Sequence, residues 1–221
     1  AIIIREGDRV VDVDLTDGNS EIILANRNGR AIRFPEDKVR TMGRVSTGVR
    51  GMTLDGDDDE VVGMVCLRES DRNDILVLSE KGYGKRTDLE SYRITNRGGK
   101  GVKTLAITEK TGKLVAIKSV NDENDLVIIN KSGITIRVAV SDIRIQGRNT
   151  QGVRIINLEK RNDTIASVCC VSSDPDEEVD HDIVDLQADV ADDNADRLAD
   201  SIEDVEADDV TPDNEATETT D

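Results

Sequence analysis

Ile75-Leu76-Val77-Leu78-Ser79-Glu80-Lys81-Gly82-Tyr83-Gly84-Lys85-Arg86-Thr87 reads as a β-hairpin: an apolar strand, a tight turn with glycine where φ turns positive, and a returning strand. The phrase occurs twice more. Asn28-Gly29 follows Ile22-Ile23-Leu24, and Ser132-Gly133 follows Leu126-Val127-Ile128-Ile129. Shifts of 53 and then 51 residues carry the first copy onto the second and the second onto the third. The same shifts place Gly48-Val49 on Gly101-Val102 and Gly152-Val153, and Leu54 on Ile107 and Leu158. Self-similarity at a fixed period marks a repeat architecture.

Each unit predicts about four short strands and almost no helix, the content of a propeller blade, in which radial repetition leaves only short protected edges. The expected fold is all-β and propeller-like, a partial ring over residues 1–171 with four-stranded blades at about 20–66, 73–118 and 124–171. Stepping back 51 residues from Leu54 reaches Ile3, and from Val62 reaches Val11, so residues 1–15 read as the end of a preceding copy. Three units do not close a ring, and the chain opens on Ala1 without a methionine, so a longer parent is expected.

The 221 residues contain one Phe, two Tyr and no Trp, which leaves Val, Ile, Leu and Met to build the core. The formal charge of -18 is unevenly spread: residues 172–221 hold 15 Asp and 6 Glu against the single Arg197. Residues 1–171 then hold 28 Lys+Arg against 26 Asp+Glu, a slightly basic body. The tail buries too little apolar surface to offset its ordering entropy, so disorder is its expected state, with Leu198, Ile202 and Val205 spaced for one short acidic helix. Three cysteines, two of them adjacent, make no disulfide framework, and a reducing cytoplasm is the natural compartment. No secretory leader and no run of 18 apolar residues is present, so no membrane partner is expected.

Four basic columns survive the repeat alignment: Arg33, Arg86 and Arg137; Arg40, Arg93 and Arg144; Arg44, Arg97 and Arg148; and Arg50, Lys103 and Arg154. Core positions drift among aliphatic types over the same shifts, whereas eleven of these twelve stay arginine. A structural clamp to a recurring carboxylate is one reading, and the column of Arg33 is its natural place. The nearest partner column, Asp37, Glu90 and Ser141, fails in the third copy. For the loop columns of Arg40 and Arg44 the favoured reading is contact with phosphate, which the planar guanidinium recognises through a fork of donors. The middle copy is richest, at Asn96-Arg97-Gly98-Gly99-Lys100-Gly101-Val102-Lys103. Its paired glycines are expected to let backbone N–H groups approach a phosphate, with Arg97, Lys100 and Lys103 supplying charge. It is not a nucleotide P-loop, because no Ser or Thr follows Lys100 and no earlier glycine has the required spacing.

Met42-Gly43-Arg44, Gly48-Val49-Arg50-Gly51-Met52, Gly82-Tyr83-Gly84-Lys85-Arg86-Thr87, Arg97 to Gly101, and Gly147-Arg148-Asn149-Thr150-Gln151-Gly152-Val153 together resemble the DNA gyrase A C-terminal domain. The resemblance covers residues 1–171, and the related topoisomerase IV domain, a more degenerate form, is the alternative. It implies a β-pinwheel whose basic rim wraps double-stranded DNA, so that ATP-dependent negative supercoiling becomes directional. It also implies the rest of gyrase A and the gyrase B protein as partners in a heterotetramer, with ATP, Mg²⁺ and strand breakage in other parts of that complex. The family's signature box reads Gln, a basic residue, Arg, Gly, Gly, a basic residue, Gly. Thr95 and Asn96 replace its first two positions here, while Arg97 to Gly101 match. The implied DNA-binding residues are Arg40, Arg44, Arg50, Lys85, Arg86, Arg93, Arg97, Gly98, Gly99, Lys100, Gly101, Lys103, Arg144, Arg148 and Arg154.

Other motifs carry no chemistry. Asp55-Gly56-Asp57-Asp58-Asp59-Glu60 has Cys66 where a calcium loop closes on Glu, and reads as a solvated turn. His181 stands alone in the tail, Cys169 and Cys170 point to opposite faces of one strand, and Tyr83 and Tyr92 fall at turn-like positions. An enzyme would need a nucleophile–base pair or a metal cluster, and a scaffold that docks an acidic protein partner is the rival from another class. Twenty net negative charges tethered beside a basic rim compete with DNA at high effective concentration. Deleting residues 172–221 is therefore expected to tighten DNA binding at low salt in a titration; unchanged affinity would leave only a solubility tail.

Overall fold

The computed structural model describes residues 2–68, 73–158 and 163–172. The acidic tail, with His181 and the segment from Leu198 to Val205, lies outside them. Eleven strands run in chain order: β1 (Glu21–Asn26), β2 (Arg30–Pro35), β3 (Val61–Leu67), β4 (Asp74–Ser79), β5 (Tyr83–Thr87), β6 (Val102–Lys103), β7 (Leu114–Val120), β8 (Asn124–Asn130), β9 (Thr135–Ala139), β10 (Val153–Arg154) and β11 (Ile165–Ser172). Single 3₁₀ turns follow β2, β5 and β9. No helix among the described residues is long and apolar enough to cross a membrane.

The hairpins form where the turn glycines permit. Gly29, Gly82 and Gly133 have φ of 77°, 86° and 87°, a region that L side chains rarely adopt. β1 pairs antiparallel with β2, β4 with β5 and β8 with β9, and β3, β7 and β11 add to the other side of β1, β4 and β8. Three antiparallel sheets result, ordered β3-β1-β2-β6, β7-β4-β5-β10 and β11-β8-β9.

The all-β, bladed architecture is the one expected, but the fourth strand is not local to its repeat. β6 belongs to the second repeat and pairs with β2 of the first, Val102 opposite Ala31 and Lys103 opposite Arg30. β10 of the third repeat pairs in the same way with β5 of the second, Val153 opposite Gly84 and Arg154 opposite Tyr83. Among the described residues the third sheet has three strands. Residues 2–19 form no strand, and Ile2, Ile3, Ile4, Val13 and Leu15 are exposed.

Alternation along β4 shows how the blades stack. Ile75 and Val77 pack with Ile23, Ala25, Val65, Leu105 and Ile117 between the first and second sheets. Leu76 and Leu78 turn to the other face and pack with Leu126, Ile128, Val140, Ile156 and Ile165. A strand buried on both faces needs apolar residues at every position, which is why Ile75-Leu76-Val77-Leu78 does not alternate with polar residues. All four are fully buried, each contributing roughly 1.5–3 kcal/mol. Leu76→Ala is expected to lower the unfolding free energy by about 2–5 kcal/mol in a denaturant titration, because the close-packed layer collapses only partly around the cavity.

Candidate nucleic-acid interface

The segment from Tyr92 to Lys103 leaves the 3₁₀ turn of its own repeat and runs out along the edge of the preceding blade. Tyr92 is buried, its hydroxyl bonded to that of Thr104. Ile94 bridges Arg33 in parallel, and the Thr95 N–H donates to the Arg33 carbonyl at 2.9 Å. The chain then reverses through Asn96–Gly101 and returns antiparallel as β6. One repeat later Ile145 bridges Arg86, the Gln146 N–H donates to the Arg86 carbonyl at 2.8 Å, and the chain returns as β10. Loops 96–101 and 147–152 therefore lie on the outer edges of successive blades.

The first arginine column is internal. Arg33 is 8% exposed; its Nε donates to the Glu21 carboxylate at 2.6 Å, and its Nη1 donates to the Leu89 and Tyr92 carbonyls of the next repeat at 3.0 and 3.1 Å. Arg86 is 6% exposed and repeats the arrangement. Its Nε donates to the Ile143 carbonyl at 2.9 Å and lies 3.8 Å from Asp74, and its Nη1 meets Asp122 at 2.5 Å. Arg137 donates to Asp125 at 2.7 Å. The carboxylate column is thus Glu21, Asp74 and Asp125, not Asp37, Glu90 and Ser141. Its signal was present in the sequence as an acid twelve residues before each arginine. Burial raises the Asp74 carboxyl above its ordinary value, against the lowering influence of Arg86.

Two members of the expected DNA-binding set are corrected by this geometry. Arg86 is sealed by its partners, and Lys85 is fully buried with its ammonium on the carbonyls of Gly147, Arg148 and Thr150. Neither has surface to offer a ligand. Burial, aided by Arg148, pushes the Lys85 pKa down to about 8.

Two members of the Arg97 column, Arg97 and Arg148, staple blades together while remaining part-exposed. Arg97 donates through Nε to Lys38 O at 2.7 Å and through Nη1 to Arg50 O at 2.9 Å. Arg148 does the same one repeat on, to Ser91 O at 3.1 Å and Lys103 O at 2.6 Å. Both leave the Nη2 amino group outside these bonds.

The glycines of the box also differ from expectation. The Gly98 N–H donates to Gly51 O at 2.5 Å, so it is not available to a phosphate. Gly98 and Gly101 have φ of 85° and 70°, and a Cβ on Gly101 would press into the Ala31 carbonyl. These glycines are required by backbone conformation and by close strand approach. Gly99 has no positive φ, and its would-be Cβ meets Ile32 at an ordinary 3.5 Å.

The remaining members reach the surface, Arg154 only in part. Arg40, Arg44, Arg50, Arg93, Lys103 and Arg144 lie on the surface, and their side chains form no hydrogen bond or ion pair among the described residues. Lys100 lies 3.4 Å from Asp55 on the surface. Arg154 stacks 5.5 Å from the Tyr83 ring and donates to its hydroxyl at 2.9 and 3.1 Å. The edges bring together Arg93, Arg97, Lys100 and Lys103 on the first blade, and Arg144, Arg148 and Arg154 on the second. Arg30, opposite Lys103, adds a cation that the columns did not contain, because Tyr83 and Ile134 occupy its place in the other repeats.

Other motifs resolve as structure. Tyr83 opens a strand and does not sit in a turn; it and Tyr92 are 6% and 1% exposed, and both hydroxyls are bonded. Asp59 is folded inward, accepting from Asn26 Nδ2 at 2.6 Å and from the N–H groups of Asn28 and Asp55.

The family described as DNA gyrase C-terminal domain, β-propeller, matches residues 20–68, 73–121 and 124–172. The chain is 44% identical over 178 residues to the DNA gyrase A protein of Staphylococcus aureus (strain MRSA252), an alignment covering 80% of this chain and 20% of that protein. It thus spans about a fifth of that relative's length. Among solved structures it resembles the C-terminal domain of DNA topoisomerase IV, with TM-score 0.72 and 27% identity over 78% of this chain and 53% of that one. The DNA gyrase A C-terminal domain gives TM-score 0.69 and 25% identity over 76% and 56%.

Arg86→Ala is expected to cost about 3–5 kcal/mol of stability, since it leaves Asp74 part-buried without its partner. Arg93→Ala and Arg144→Ala should stay within about 0.5 kcal/mol of the parent in the same denaturant titration.

Proposed function

The chain belongs to the DNA gyrase C-terminal domain, β-propeller family, and from that premise we propose that it binds double-stranded DNA along its blade edges and bends the duplex around them. The observation that supports this most directly is a periodic one. Arg93 and Arg144 stand exposed at the same place on successive blades, and Lys103 and Arg154 follow them on β6 and β10. Arg40 and Arg50 form the same pair in the first repeat. Contacts of this kind hold a phosphate backbone in register without reading its sequence. Smooth bending of 20–30 base pairs by 40–90° costs of order 1–6 kcal/mol, and neutralising phosphates on the inner side of the bend offsets it.

In this reading the chain holds and curves DNA for a type IIA topoisomerase, and contributes no reacting group of its own. The buried, bonded hydroxyls of Tyr83 and Tyr92 agree with that. The rest of gyrase A and the gyrase B protein supply strand breakage and ATP hydrolysis in a cytoplasmic heterotetramer, and wrapping of one hand gives negative supercoiling its direction. Arg40, Arg44, Arg50, Arg93, Lys100, Lys103, Arg144 and Arg154 are assigned to phosphate, together with the outward parts of Arg97 and Arg148.

Binding of the 221-residue chain to duplexes of increasing length, measured at several salt concentrations, tests the assignment. Affinity is expected to rise with length and fall steeply with salt, and each engaged phosphate lost by Arg93→Ala, Lys103→Ala or Arg144→Ala should reduce the log–log slope by about 0.9. Length-independent binding that these changes leave untouched would favour a protein-docking scaffold instead.

A further inference from the structure

Lys85 is a buried lysine in a column whose other members are Ile32 and Ile136. Its Nζ lies 2.8 Å from Gly147 O, 2.7 Å from Arg148 O, and 3.0 Å from both Thr150 O and Thr150 Oγ1. Three carbonyls of one five-residue loop thus converge on one ammonium beneath it. With a pKa of about 8 the group is mainly charged at neutral pH, and it has three donors to share among four acceptors.

The peptide unit makes this arrangement consequential. In a planar trans peptide the carbonyl of one residue and the N–H of the next point in opposite directions. Turning the carbonyls of Gly147, Arg148 and Thr150 inward therefore turns the N–H groups of Arg148, Asn149 and Gln151 away from the core. None of these three donates a hydrogen bond among the described residues. Asn149 and Gln151 are exposed, and the Arg148 guanidinium is anchored at the loop's side by Ser91 O and Lys103 O. Successive outward amides form a concavity for an anion, and the ammonium beneath and the guanidinium beside it add positive potential.

The equivalent loop of the second repeat is docked differently. There the Gly98 N–H points inward to Gly51 O, and Thr53 holds the loop through its N–H to Gly99 O at 2.9 Å and its Oγ1 to Gly98 O at 2.7 Å. Ala106 replaces Thr53 one repeat on and has no hydroxyl, while its N–H still donates to Thr150 O at 3.0 Å. Ile32 lies where Lys85 would be. The two loops share their arginine, their place on the rim and the inward carbonyls of Gly99 and Thr150. They differ at one amide, the Gly98 N–H being bonded inward where the Asn149 N–H donates to nothing among the described residues.

We propose that residues 147–151 form a phosphate-binding amide cradle, aimed outward by the Lys85 ammonium, that seats a backbone phosphate of DNA at the edge of the second blade. Lys85 is a positioning residue, acting through the loop and without touching the ligand. The proposal rests on the DNA-binding reading above and adds a site that charge alone does not identify.

The test is an amide-resolved NMR titration of the full 221-residue chain with a duplex of a few tens of base pairs and, separately, with inorganic phosphate. Duplex is expected to shift the Arg148, Asn149 and Gln151 amides of the parent chain in step with binding. In Lys85→Ile, which restores the residue type of the other repeats, those three shifts should disappear. Affinity should then fall about tenfold, the loss expected for hydrogen bonds to one charged group, and the salt slope by about 0.9. Arg148→Ala should lower the slope while keeping the Asn149 and Gln151 shifts. Unmoved amides in the parent chain, with shifts present at Arg93 and Arg144, would overturn the cradle and leave the rim assignment standing. No shift anywhere with duplex overturns both. Saturation of the three amides by phosphate alone, with no further change on adding duplex, overturns the DNA source. The parent-chain titration decides the matter even where Lys85→Ile folds poorly.

Discussion

Each complete sheet owes its outermost strand to the following repeat, and the rest of the structure depends on that exchange. A pairing of two residues, such as Val102 and Lys103 against Ala31 and Arg30, is too short to hold by its own hydrogen bonds. The chain secures it on both sides. Upstream, Arg97 is stapled to the carbonyls of Lys38 and Arg50; at the turn, Gly101 presses onto the Ala31 carbonyl where no Cβ fits. The second junction repeats the solution with Arg148 and Gly152. Because the exchanged segment must cross the outside of the neighbouring blade, the same constraint that joins blades also lays basic loops along the rim.

One residue type performs three tasks along that rim, and local dielectric separates them. Arg33 and Arg86 sit among carboxylates and carbonyls with little water, where an unpaired charge would be costly and a paired one locks two repeats together. Arg97 and Arg148 are half-buried and satisfy carbonyls that would otherwise lack donors. Arg93 and Arg144 stand in solvent, where holding a surface partner would stabilise little; their charge is left for the phosphate contact proposed above. Guanidinium serves all three because it never loses its proton and offers donors in several directions.

The two loop junctions show how a repeat protein diversifies without changing its fold. Thr53 holds Gly98 and Gly99 in one case, and Lys85 holds Gly147, Arg148 and Thr150 in the other. Both loops turn carbonyls inward; the first also turns the Gly98 amide inward to Gly51 O, whereas the second leaves the Asn149 amide without a partner among the described residues. Sequence periodicity conceals this, since the arginine columns match while the residues beneath them do not.

By itself the sequence determined the repeat, its hairpins and the all-β class. These are consequences of local chemistry: glycine at positive φ in Gly29, Gly82 and Gly133, and aliphatic runs such as Ile75 to Leu78 that only a doubly covered strand can bury. It also identified the basic columns by their spacing, but did not separate the exposed Arg93, Lys103 and Arg144 from the buried Arg33 and Arg86. Only the tertiary structure decided which sheet receives β6 and β10, which carboxylates meet Arg33 and Arg86, and that Lys85 lies under a loop more than sixty residues away along the chain. Those outcomes depend on burial and on partners distant in sequence, and a charged side chain carries no local mark of whether water or protein will surround it.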